Sequence, residues 1–95
     1  MSQLVVVAAL TAAPGSEEAL REVLTSLVAP TRLEEGCLRY DLHVDPLKPA
    51  TLVFLETWAS REAHQAHCRA PHFLDARARQ EGLVASRDVK LLEQI

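Results

Sequence analysis

The chain has 95 residues, 48% of them apolar and 24% charged, with three glycines and five prolines, a composition that describes one globular domain and excludes a second domain or a disordered tail. Ten Lys and Arg against thirteen Asp and Glu leave a net charge of -3 and no basic tract, which argues against a nucleic-acid partner, whose phosphates must be met by clustered cations. A domain this small buries only roughly 60 to 65% of its unfolded surface, so self-association is the expected remedy.

The opening MSQLVVVAALTAAPG lacks a positive n-region and meets a turn signal too soon for a membrane span, so a cytoplasmic protein without a membrane partner is expected. Leu4 to Leu10 is a run of branched and small apolar residues closed by Pro14-Gly15, which predicts a strand buried on both faces. Ser16 is placed to cap a helix whose first turn carries Glu17 and Glu18, where the helix dipole favours negative charge. Leu20, Val23, Leu24, Leu27 and Val28 follow at the spacing of one apolar stripe. Pro30 then ends or kinks that helix near Val28, before an irregular turn through Glu35-Gly36.

From Cys37 to Val44 the residues alternate, with Leu38, Tyr40, Leu42 and Val44 on one face and Cys37, Arg39, Asp41 and His43 on the other. The stretch DPLKPA reads as a loop, and Thr51 to Trp58 as the returning strand of a hairpin, with Leu52, Phe54, Glu56 and Trp58 pointing one way. Ser60 caps a short helix through Cys68, Pro71 opens another that Gly82 ends, and Leu83 to Ile95 reads as a last strand with Val89 and Leu91 on one face. Strand, helix, strand, strand, helices, strand is the ferredoxin-like α+β order, an antiparallel sheet with helices on one side. The uncovered side would expose an apolar patch, which a twofold dimer packed sheet to sheet removes.

Chemistry concentrates between Glu56 and Phe73, which holds three of the four histidines and the only tryptophan. Glu56 stands between Phe54 and Trp58 on one strand face, where desolvation would raise its pKa toward neutrality. His64, His67 and Cys68 fall at i, i+3 and i+4, on one helix face, and His72 follows a proline. Metal sites of the common kinds show C-x-x-C or H-E-x-x-H spacing, which this sequence lacks, so no metal is expected. If His67 points inward with Glu56 across from it, the pair forms a carboxylate-oriented imidazole able to move a proton, and His64 is expected in solvent. Tyr40 lies on the apolar face, while Arg39, Asp41 and His43 line the opposite one and suit contacts across a dimer seam. Cys37 and Cys68 fall in different elements and are expected as thiols. With no G-x-G-x-x-G, G-x-x-x-x-G-K or G-x-S-x-G, nucleotide cofactors and a serine nucleophile are not expected.

The segments APGSEEAL (Ala13 to Leu20), RLEEGCLRYD (Arg32 to Asp41), ETWASREA (Glu56 to Ala63) and HCRAPHF (His67 to Phe73), in this order and spacing, resemble the antibiotic biosynthesis monooxygenase family, across nearly the whole chain. The resemblance implies a single domain over residues 1–95, a dimeric α/β barrel, and a pocket between sheet and helices to which Glu56, Trp58, His67 and His72 contribute. It also implies oxidation of phenolic or hydroquinone substrates by dioxygen without flavin, haem or metal. Glu56 or His67 would serve as the base, His72 would assist, and Tyr40, Phe54, Trp58 and Phe73 would wall the substrate. The family's haem-degrading branch looks to require an Asn on the first strand and a helix Trp; this chain has no asparagine and carries His67 at the Trp position. Isomerisation of a phosphorylated or hydroxylated carbonyl compound in the same pocket, or a non-catalytic dimeric binding or stress-response module, are the alternative functions, because one fold hosts many chemistries.

Overall fold

In the computed structural model, which describes residues 2–95, the first strand β1 (Leu4–Ala12) runs up to the Pro14-Gly15 turn. Leu4, Val6, Ala8, Leu10 and Ala12 are buried, whereas Val5, Val7, Ala9 and Thr11 are only half-buried. Burial on both faces is therefore not found among the described residues: helices cover one side of the sheet, and none of these residues covers the other. β1 lies inside a four-stranded sheet of order β2-β3-β1-β4, where β2 is Cys37–Asp45, β3 is Lys48–Trp58 and β4 is Val84–Leu92. Every neighbouring pair is antiparallel. Each crossover is a pair of short helices, α1 (Glu17–Thr25) with α2 (Val28–Arg32), and α3 (Arg61–His67) with α4 (Pro71–Arg79). The result is the ferredoxin-like βαββαβ arrangement. No helix among the described residues is long and apolar enough to cross a membrane.

Local chemistry explains where these elements begin and end. α1 buries Leu20, Val23 and Leu24 against the sheet and stops at Thr25, short of the Leu27 and Val28 that complete its stripe. Pro30 has no N–H to offer the Ser26 carbonyl, and its ring crowds that carbonyl. The Thr25 and Ser26 hydroxyls also bond back to the carbonyls of Arg21 and Val23, drawing the chain out of the helix. A fresh helix, α2, then takes Pro30 in its first turn, where a missing N–H costs nothing. Ser16 sits at the α1 N-cap without a side-chain bond; Glu17 instead accepts from the Gly15 N–H at 3.3 Å. Ser60 does cap α3, accepting from the Ala63 N–H at 3.1 Å, and Pro71 opens α4.

Two further differences lie in the hairpin. Only Pro46 and Leu47 form its turn, with Asp45 Oδ1 accepting from the Leu47 N–H at 2.9 Å and Asp45 paired with Lys48. Lys48 to Ala50 therefore belong to β3 rather than to a loop. Pro49 is tolerated because this end of β3 runs past β1, whose pairing reaches only Thr11↔Thr51. At the other end the β2–β3 register shifts between Cys37 and Arg39, so Cys37 pairs with Trp58 and packs on the core while Leu38 is 55% exposed. That bulge reverses the faces that strict alternation assigns to Cys37 and Leu38. On β4, Val89 and Leu91 share a face as expected, opposite Ala8 and Val6, but the strand ends at Leu92.

Candidate active site

The site begins with a glycine. Gly36 has φ +84°, and a Cβ there would lie 2.6 Å from the Ala63 Cβ, so only glycine lets the turn after α2 press against α3. The Ala59 N–H donates to the Gly36 carbonyl at 2.8 Å and fixes that approach. Glu34 is thereby delivered to the end of α3. Its Oε2 accepts from His67 Nδ1 at 2.7 Å and from His72 Nε2 at 2.6 Å, the tautomers being those that two N–H donors on one carboxylate oxygen require.

His67 is 2% exposed and its ring is clamped. Trp58 lies 4.8 Å away at an interplanar angle of 34°, Phe73 stands edge-on at 5.0 Å and Tyr40 edge-on at 5.5 Å. With Nδ1–H committed to Glu34, Nε2 keeps its lone pair and has no hydrogen-bond partner among the described residues; the residue lines a cavity. Burial pulls the His67 pKa below its ordinary 6.5, with Glu34 pulling the other way, so the ring is held as a neutral base. Second-residue support of this kind is how a carboxylate fixes which imidazole nitrogen is free.

Glu56 is 5% exposed and sits opposite Tyr40 in the sheet. Its Oε1 accepts from Trp58 Nε1–H at 2.9 Å. Burial pushes its pKa up to about 7, against the pull of the Trp58 N–H, so near neutral pH the carboxyl can either give or take a proton. Burial and the nearby Glu56 also push the Tyr40 phenol well above its usual range, which keeps its O–H as a donor.

The cavity between sheet and helices has a volume of about 130 Å³, close to the roughly 150 Å³ of a protein cavity that holds one benzene ring. Tyr40, Phe54, Glu56, His64, His67 and Phe73 line it over a base of Val6, Ala8 and Leu10, with Arg77, Gln80 and Arg87 also on its surface. Three of the four expected wall residues are there. Trp58 is not: it is wholly buried behind Glu56 and His67, holding both from beneath. His72 is likewise absent from the wall and instead secures Glu34. His64 is half-buried on the wall, edge-on to Trp58 at 5.9 Å, rather than in solvent.

The main correction concerns the partner of His67. Glu34, not Glu56, orients the imidazole, because His67 Nδ1 points toward the turn after α2 while Glu56 Oε1 accepts from Trp58 along its own strand. Sequence reasoning missed Glu34. The available signal was an acid pair, Glu34-Glu35, before a glycine, but only the fold shows that Glu34 turns in and Glu35 stays exposed. Glu34 Oε2, His67 Nδ1 and His72 Nε2 lie within 4.8 Å of one another, a donor set able to hold a divalent cation once the proton on each ring nitrogen has moved to the other nitrogen of that ring. Cys37 and Cys68 are free thiols, and Cys68 Sγ lies 3.7 Å from His64 Nε2.

A ferredoxin-like sheet whose helix-covered face bears a one-ring cavity beside a carboxylate-held imidazole defines the class of this molecule. The chain belongs to the antibiotic biosynthesis monooxygenase family, whose model matches residues 3–79. It is 38% identical over 88 residues, 93% of this chain and 85% of the other, to the Mycobacterium tuberculosis protein named "Putative monooxygenase Rv0793". The crystal structure of PA3566 from Pseudomonas aeruginosa matches with a TM-score of 0.96 at 37% identity, over 100% of this chain and 96% of that one. That of SO0527 from Shewanella oneidensis matches with a TM-score of 0.91 at 34% identity, over 98% and 91%.

Proposed function

We propose that the protein is a cofactor-independent monooxygenase that oxidises a small aromatic or quinol substrate with dioxygen, using His67 as the base. The observation that carries this reading is the Glu34–His67 bond, which leaves Nε2 unprotonated on the wall of a cavity sized for one ring. The family and the name of the M. tuberculosis relative support the oxygen chemistry. His67 Nε2 takes a proton from a substrate hydroxyl, and Glu34, itself held by His72, steadies the imidazolium that forms. The resulting phenolate is electron-rich enough to pass an electron to dioxygen. Recombination at the ring and loss of water then place one oxygen atom in the product and the other in water, the hydroquinone supplying all four electrons. Glu56, poised near neutral pH, returns or removes the second proton. Tyr40, Phe54 and Phe73 exclude water and hold the ring.

The half-buried valines and leucines on the open face of the sheet, Val5, Val7, Val53 and Leu55, support a homodimer formed sheet to sheet. An oxygen electrode with a panel of hydroquinones tests the activity: one dioxygen is consumed per quinol, and the double variant Glu56→Gln with His67→Ala is slowed at least about a hundredfold. Product formed without oxygen uptake would instead favour isomerisation by the same proton-transfer pair. A double variant that works at the wild-type rate removes the assignment of the base.

A further inference from the structure

Arg77 on α4 and Arg87 on β4 both border the cavity. Among the described residues neither has a carboxylate within 4.0 Å, although Arg32, Arg39, Arg61 and Arg79 each do. Arg87 is not left loose. Gln80, only 7% exposed, spends its side-chain carbonyl on Arg87 Nη2 at 2.6 Å, which fixes the guanidinium and leaves the Gln80 amide as another donor at the same cavity. Arg77 lies 5.6 Å above the Phe73 ring, itself a cavity wall. A buried amide holding one cation beside a second presents two positive charges to which the described residues supply no carboxylate.

We propose that Arg77, Gln80 and Arg87 form an anion subsite that selects, as substrate, a single aromatic ring carrying a carboxylate. The planar guanidinium fork matches the two oxygens of a carboxylate. Desolvation and, after it, the charge of Arg77 lower the Arg87 pKa, and an incoming anion relieves the repulsion between the two arginines. Glu56 sets at most one negative charge against two fixed positive ones. The inference rests on the cavity being the substrate site, and it narrows the proposed substrate to an acidic phenol or quinol.

Benzoate and benzamide have the same shape and differ in charge, and neither can be oxidised by the proposed route, so their binding is read without turnover. Titration calorimetry on the full chain is expected to give benzoate at least about tenfold the affinity of benzamide, in line with charge-assisted hydrogen bonds, with benzoate alone weakening as ionic strength rises. In the double variant Arg77→Gln with Arg87→Gln the preference disappears while benzamide affinity is kept. Equal affinities in the wild type, a parallel loss of both ligands in the variant, or no binding of either ring overturns the subsite. An enzyme that prefers benzoate but consumes no oxygen with any quinol keeps the subsite and loses the oxidation.

Discussion

Replacing Glu56 with Gln should stabilise the protein, and only where the carboxyl would be ionised. In the folded chain this group is 5% exposed and its pKa rises from an ordinary 4.5 to about 7. Because the folded pKa lies above the unfolded one, the protonated group's contribution is fully present below about pH 4.5 and is lost as pH climbs through about 7. At about 1.4 kcal/mol per pH unit, the buried carboxylate costs roughly 3 kcal/mol at pH 8 and under about 1 kcal/mol at pH 5. Glutamine keeps the shape and an oxygen for the Trp58 N–H while removing the charge, so the variant isolates that cost. Urea denaturation of both proteins at pH 5 and pH 8 should show a gap of roughly 3 kcal/mol at the higher pH that shrinks to less than a third at the lower. A gap that does not change with pH, or a variant less stable at pH 8, would refute desolvation as the source of the shift. An acid that destabilises the fold at this position is what a functional group leads one to expect.

Glu34→Gln removes the charge that steadies the imidazolium of His67; kcat is expected to fall roughly a hundredfold with KM little changed, and nitrogen NMR of the ring should show mixed tautomers. Unaltered kcat would reduce the Glu34–His67 bond to a packing role. The pH profile of kcat/KM in Glu56→Gln, where the group titrating near pH 7 is gone, assigns the base: an acid limb that persists on the acid side of pH 6.5 belongs to His67, whereas loss of every acid limb would transfer the role to Glu56. Gly36→Ala must place a methyl 2.6 Å from the Ala63 Cβ at φ +84°, so the chemical midpoint should report a loss of about 2 to 4 kcal/mol; a wild-type midpoint would show that the turn yields freely. Light scattering should return twice the 10.5 kDa chain mass, and Val53→Asp with Leu55→Asp should return one. A wild-type monomer would leave the open sheet face unexplained.

The order of strands and helices was legible in the sequence because it is written at short range. Period-two alternation in β3 placed Leu52, Phe54, Glu56 and Trp58 on one buried face, and that alone was enough to single out Glu56 as an acid in an apolar setting. Ser60, Pro71 and Gly82 act on backbone groups within a turn of themselves, so the bounds of α3 and α4 were also readable. Where two local signals compete, as in the stripe through Val28 against Pro30, the backbone sterics of proline outweighed the periodicity.

The functional pairing was not legible, because it joins residues far apart in the chain. Glu34 and His67 are 33 positions apart, and their meeting depends on one turn conformation at Gly36 and one close approach to Ala63. Nothing local distinguishes Glu34 from Glu35, or says that Trp58 supports the site from behind rather than lining it. The bulge that exchanges Cys37 and Leu38 likewise exists only in the pairing of β2 with β3. Sequence determined which side chains face the covered side of the sheet, since that follows from repeat and composition. Only the folded chain decided which carboxylate meets which imidazole, since a hydrogen bond depends on tenths of an ångström and no periodicity carries that length.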